Sequence, residues 1–263
     1  MEPIPTSIHV GPLTFHLYGI GLALAALITY SYARRRLERA GLSRAPWARF
    51  SVAVLVAALI GARAANVATN WSYYGPRPGQ WLALWNGGLA SFGGIGAGVP
   101  VALALRRRWW PEASLARFAD AVVPALVAGW AIGRVLGPQF MYQGGGHLTH
   151  QWFGMRYAGQ AGRRVPVPLI QGLEDGTLWL GLLAVQRRLR GRVDGLVASL
   201  AMIVWGLVRT LDEHLLLGQH SHSGSVGVQL AGLVLAASGV ASALVCTRRG
   251  ARQRVSPGAR SAP

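Results

Sequence analysis

Seven long apolar stretches separated by short polar segments set the frame for this chain. They lie at roughly 14–33, 48–69, 88–105, 115–136, 168–186, 195–216 and 226–247. Each is close to the ~20 residues that cross a bilayer as a helix. Only 13% of residues are charged, about half the usual share for a soluble domain. The pattern predicts an all-α membrane protein with seven transmembrane helices. The fifth stretch is the weakest of the seven, because Glu174 and Asp175 sit in its first half.

The net charge of +17 comes from arginine alone. A basic chain can be a nucleic-acid binder, but here the arginines gather in alternate connections. Arg34, Arg35, Arg36, Arg39, Arg44 and Arg49 join the first two stretches. Arg106, Arg107, Arg108 and Arg117 join the third and fourth, and Arg187, Arg188, Arg190 and Arg192 the fifth and sixth. Arg248, Arg249, Arg252, Arg254 and Arg260 follow the seventh. The other connections hold only Arg77, Arg156, Arg163 and Arg164. Arginine-rich connections mark the cytoplasmic side, so the N-terminus is expected outside and the C-terminus inside. The residues before the first stretch contain Glu2 and no arginine. They do not read as the positive start of a signal peptide, so the first stretch is expected to be retained. The single cysteine, Cys246, excludes an intrachain disulfide and a CxxC pair.

The domain expected is a polytopic body over 1–249. Its outer segments lie near 70–87, rich in Trp and Tyr, and near 137–167, long and rich in Gly and His. Aromatics of that kind favour the headgroup layer, and connections of that length often carry function. The Arg-, Ser- and Pro-rich tail 250–263 is expected to be disordered. No internal repeat or paired broken span points to a transporter.

Three arginines remain inside apolar runs: Arg63, Arg134 and Arg209. Each costs about 2.5–3.5 kcal/mol there. The expected topology places all three near the outer end of a span. Tyr18, Phe92-Gly93-Gly94, Gln171, Glu174 and Asp175 fall at the same level. A lone arginine could simply lift its head to the interface. Three at one depth, beside acids and a Gly-Gly pair, point to a cavity in the outer leaflet that holds an anion. Guanidinium binds phosphate with two parallel hydrogen bonds, and a phospholipid headgroup is the anion at that depth. Glu213 lies four residues after Arg209 on one helical face, where it could pair with Arg209 and orient it. Asp120 precedes Arg134 by ~21 Å of helix and is read as a structural or capping group. Gly94 and Gly98 have the spacing of close helix contact. His147, His150, His214, His220 and His222 lack a zinc-site spacing such as HExxH and are read as loop histidines. No metal or cofactor is expected.

Several of these residues occur in an order that resembles the bacterial prolipoprotein diacylglyceryl transferase family. They are His16-Leu17-Tyr18-Gly19; Gly61-Ala62-Arg63; Leu84-Trp85-Asn86-Gly87-Gly88-Leu89 leading to Phe92-Gly93-Gly94; and Asp120, Pro124 and Gly133-Arg134. Pro166-Val167-Pro168-Leu169-Ile170-Gln171, Gly206-Leu207-Val208-Arg209 with Glu213, and Gly227-Val228-Gln229-Leu230 complete the series. The resemblance implies a multi-pass enzyme of the bacterial cytoplasmic membrane with its site facing the outer leaflet. It implies transfer of a diacylglyceryl group from phosphatidylglycerol to the lipobox cysteine of a prolipoprotein signal peptide. The partners implied are membrane lipid and prolipoprotein, with no nucleic acid. Tyr18, Arg134 and Arg209 are the catalytic residues implied; Arg63, Gly93, Gly94 and Glu213 are the substrate-binding ones. Some polar family positions differ here: Phe92 for a histidine, Gly137-Pro138-Gln139 for Gly-Asn, Trp205 for a tyrosine, and Val165 to Gln171 for a His-Pro-Ser-Gln-Leu-Tyr-Glu stretch. An alternative is therefore a catalytically impaired paralogue that binds anionic phospholipid or lipoprotein without turnover.

Overall fold

The computed structural model describes residues 3–10, 13–83, 90–189, 193–215 and 222–255. Long helices form at all seven apolar stretches. They are α1 (Leu17–Arg39), α2 (Trp47–Thr69), α4 (Ser91–Trp109), α5 (Leu115–Leu136), α6 (Val167–Leu189), α7 (Leu196–Leu215) and α8 (His222–Val255), with the short α3 (Trp71–Tyr74) after α2. The acids of the fifth stretch do not break α6. Among the described residues, three helical stretches are long and apolar enough by composition to cross a membrane: Trp47–Thr69, Leu115–Phe140 and Val226–Arg249. Their mean hydropathies are 1.8, 1.5 and 2.0.

The chain is not purely helical. Strands β1 (Ser7–Val10) and β2 (Leu13–His16) form an antiparallel hairpin, with Ser7 opposite His16 and Val10 opposite Leu13. Residues 14–16, expected to open the first span, belong to β2. The reason is legible in hindsight: polar and apolar residues alternate along both strands around a Gly-Pro breaker. At the other end, α8 runs on to Val255, past the start expected for the tail.

The chain divides into two compact units, one of residues 1–36 and 115–263, the other of residues 37–114. In the first unit, small residues let backbones approach, as in membrane helix packing. A side chain at Gly21 would overlap the Leu136 carbonyl, joining α1 to the end of α5. Gly206 and Gly232 face each other's carbonyls across α7 and α8, and the Ser199 and Ser242 hydroxyls hydrogen-bond at 2.9 Å along the same seam. Val127, Leu182, Val197 and Ala201 form a buried cluster of α5, α6 and α7.

Asp120 ties one end of this unit together. Its carboxylate accepts from the backbone N–H groups of Gly195 (2.7 Å) and Ala198 (2.8 Å), capping the start of α7 as the sequence suggests. Arg36 differs from its expected place in a polar connection. It lies buried in the last turns of α1 and donates to the carbonyls of Ala121 and Asp120 and to Gln186 Oε1.

The arm over 137–167 folds back on itself. The Gly146 N–H donates to the Val165 carbonyl and the Val165 N–H to the His147 carbonyl, and Met155 pairs with Arg164 in both directions at 2.9 and 2.7 Å. Tyr157 is buried beneath and donates its hydroxyl to Gln139 Oε1 at 2.9 Å. Burial pushes the Tyr157 phenol up to about 12, against a smaller opposing effect of Gln139. Ile4 docks on this arm, its N–H donating to the Arg156 carbonyl at 3.0 Å.

The second unit is built on α2 against α4. Gly61 and Gly93 face each other's carbonyls so closely that neither position has room for a side chain. Gly94 and Gly98 continue the seam against Ala58, in the close-contact role expected of them.

Candidate active site

Arg134 closes α5 and Arg209 lies in the second half of α7. Each follows a tryptophan by four residues, so each guanidinium lies over its own indole. Arg134 Cζ is 5.4 Å from the Trp130 ring centre, and Arg209 Cζ is 5.6 Å from that of Trp205. The two indoles meet edge to face at 5.8 Å and 86°. The two like charges lie within electrostatic reach of one another. Each cation–π contact contributes about 0.5–2 kcal/mol.

Acids from the neighbouring helices approach the pair. Asp212, one turn beyond Arg209, forms an ion pair with its Nη2. Gln171 on α6 donates to the same Asp212 oxygen, Oδ2, at 3.0 Å. Glu174 lies within the field of Asp212. Asp175 is almost wholly buried and lies within the field of both arginines. Arg134 lies within the field of Arg209, Asp175, Asp212 and Tyr18. Tyr18, on the first turn of α1, is exposed.

The structure therefore brings Tyr18, Arg134 and Arg209 together, along with Gln171, Glu174 and Asp175. Glu213 is half-buried and is not the ionic partner of Arg209; Asp212 takes that place. An i+3 carboxylate lies as close along a helix as an i+4 one, so the choice between them falls to α6, where Gln171 bonds to Asp212.

Arg63 has a different setting. It is 5% exposed and donates from Nε to the Trp81 carbonyl (2.8 Å) and from Nη2 to that of Gln80 (2.6 Å). Its guanidinium also lies over Tyr74, 5.0 Å from the ring centre. It braces the aromatic segment that follows α2. Gly93 and Gly94 serve the α2–α4 seam of the same unit. Residues 84–89, His220 and the side chains of Phe92, His214 and His222 lie outside the described residues.

Asp212 and Trp130 were not singled out in the sequence. The signal for Trp130 was present: Trp-x-x-x-Arg occurs at 130–134 and again at 205–209. Trp205, which departs from the family tyrosine, supplies the ring beneath Arg209.

Chemically the cluster offers unsatisfied donors. Arg134 donates no hydrogen bond among the described residues, and the Nε atoms of both Arg134 and Arg209 are buried without a partner. A buried N–H left unpaired costs about 1–3 kcal/mol. Two adjacent guanidinium groups also repel. An anion seated between them would relieve both penalties, and a phosphate matches the fork geometry.

Comparison with known proteins agrees. The family model described as prolipoprotein diacylglyceryl transferase matches residues 5–249. The phosphatidylglycerol–prolipoprotein diacylglyceryl transferase of Synechococcus elongatus is 37% identical over 134 residues, which cover 51% of this chain and 45% of the relative. That of Bacillus licheniformis is 36% identical over 139 residues, covering 51% and 49%. The alignments with these two thus span about half the length of each relative. The match to the Streptococcus equi subsp. equi protein of the same name is longer, 26% identical over 215 residues, covering 80% and 82%. With nearly the whole length of α1 to α8 inside the matched region, the chain belongs to the prolipoprotein diacylglyceryl transferase family.

Proposed function

We propose that this protein transfers the diacylglyceryl group of phosphatidylglycerol to the cysteine thiol of a prolipoprotein lipobox and releases glycerol phosphate. The observation that carries this reading is the pair of stacked guanidinium groups, Arg134 and Arg209, each with a buried and unpartnered Nε. The thiolate attacks the diacylglyceryl carbon that bears the phosphate ester. The C–S bond forms and the C–O bond breaks, its electrons leaving with the phosphate. The phosphodiester carries one negative charge and the departing monoester gains a second. Donors fixed where that charge develops stabilise the transition state more than the ground state. Arg134 and Arg209 are the catalytic residues in this reading, with Tyr18 beside Arg134 at the entrance. Glu213 is the substrate-binding residue in this reading, while Arg63, Gly93 and Gly94 serve the fold of their own unit.

The same reading has seven spans, the N-terminus outside, the C-terminus cytoplasmic and the site facing the outer leaflet of a bacterial cytoplasmic membrane. The alternation of arginine-rich connections supports it. A second reading, lipid or lipoprotein binding without turnover, draws on Gln139, whose amide is committed to Tyr157 and Met155 and has little left for proton handling.

Expression in a bacterial host depleted of its own transferase distinguishes the two. The transferase reading expects lipid attachment to a lipobox substrate and release of glycerol phosphate. Normal expression with neither product would leave only the binding reading.

A further inference from the structure

The acid that matters most to Arg209 is one that sequence spacing alone passed over. Asp212 is 4% exposed and bonds two side chains, one on its own helix and one on α6. Arg209 reaches it through Nη2. Gln171 reaches the same oxygen at 3.0 Å. Arg209, itself 8% exposed, has Trp205 under its face and Asp212 at one Nη. Two contacts in different directions fix the plane of the guanidinium and its rotation within that plane. The side left over carries the unpartnered Nε.

We propose that Asp212 is the positioning residue of the anion pocket: anchored by Gln171, it turns Arg209 so that the Nε side of the guanidinium is free for the phosphate. The proposal rests on the transferase reading for its reaction and on Asp212, Gln171 and Arg209 for its geometry. Gln171 has a specific part. An amide at this position supplies a donor to the carboxylate without adding a further negative charge to a cluster that already holds Glu174, Asp175 and Asp212. Carboxylate and amide therefore form a polar pair across α6 and α7, with the charge on the α7 side. Exchanging the two groups keeps the charge and a hydrogen bond while moving the charge to α6.

The effect is expected on turnover more than on lipid capture. Stacking on the indole and the positive charge survive loss of Asp212, so the singly charged lipid still binds. The doubly charged leaving group needs the guanidinium in register, and misplacement of a catalytic group by about 1 Å can lower a rate about a hundredfold.

The test uses the purified full chain with phosphatidylglycerol and a lipobox peptide, and in parallel glycerol phosphate binding by calorimetry. Asp212→Asn is expected to lower kcat roughly a hundredfold, change KM for lipid less than about threefold, and weaken glycerol phosphate binding roughly tenfold. The double variant Gln171→Glu/Asp212→Asn is expected to recover at least about tenfold of the lost kcat, because the charge is restored across the pair. Helical circular dichroism and melting temperature monitor folding. Wild-type turnover and binding in Asp212→Asn would overturn the proposal. So would a loss that follows the melting temperature and is not recovered in the double variant. If the wild-type chain shows no turnover, the transferase reading falls, and glycerol phosphate binding alone decides Asp212. If the wild-type chain does not bind glycerol phosphate either, there is no anion pocket and the proposal falls with it.

Discussion

Arg63 and Arg209 start from the same problem and reach opposite solutions. Each lies in the second half of an apolar helix, each is at least nine-tenths buried, and each has an aromatic ring beneath its guanidinium. Arg63 donates to backbone carbonyls through both Nε and Nη2. Arg209 gives one Nη to a carboxylate and leaves Nε unpaired. A guanidinium bonded to carbonyls ties chain segments together, and its charge has no ligand to await. A guanidinium stacked on an indole and turned by an acid keeps a donor in reserve. Arg36 and Arg163 belong with Arg63, since both donate to carbonyls. Arg134 belongs with Arg209.

The sharpest way to break this contrast is to remove the reserve donors. Arg134→Ala and Arg209→Ala are each expected to lower kcat/KM by roughly a thousandfold or more, read as glycerol phosphate release, with little change in melting temperature. Comparable loss on removing Arg63 or Arg163 would erase the distinction.

Arg63→Ala should act on stability instead. It strands the Trp81 and Gln80 carbonyls, and a cost of about 2–4 kcal/mol is expected, seen as a lower melting temperature in detergent. A pure activity loss at unchanged stability would move Arg63 to the functional group.

Replacing the indole under Arg209 tests the stacked arrangement. Trp205→Phe keeps a ring but gives Arg209 a weaker cation–π partner than the indole, and roughly a tenfold drop in kcat is expected. Trp205→Leu removes the ring and should lower kcat further.

Tyr157 supplies a control outside both arginine classes. Its phenol is raised to about 12 by burial, from about 10 in an unfolded chain. Between those values the folded arm keeps a proton that the unfolded chain loses, so stability falls as pH rises from about 10 to 12. The loss expected is about 2–3 kcal/mol, and Tyr157→Phe should abolish this part of the pH dependence.

Arg163→Ala should have the smallest effect, less than about threefold on kcat. It loses hydrogen bonds to Gly154 and Trp152 within the arm and touches neither indole.

The long helices were legible because membrane-length apolar runs leave the backbone few alternatives. The hairpin was not, since Leu13 to His16 merges into the apolar run of α1. Arg134 and Arg209 could be identified because a charge inside an apolar run is visible at any depth. Asp212 could not, because choosing it over Glu213 depends on where α6 brings Gln171 and Glu174. The glycines of α4 have the reverse history: Phe92-Gly93-Gly94 reads as part of a site, yet Gly93 and Gly94 pack against α2. A motif gives residue order, and only packing tells a cavity glycine from a contact glycine.

The bond from Ile4 to the arm at Arg156 has a consequence for biogenesis. Ile4 finds its partner only after α1 to α5 have been made. At about 5–20 residues per second, that wait is roughly ten to thirty seconds. During that time the N-terminal segment has no arm to dock on, and closing so long a loop is one of the later steps of assembly. This contact therefore runs against the order of synthesis: the earlier of its two partners waits for the later one.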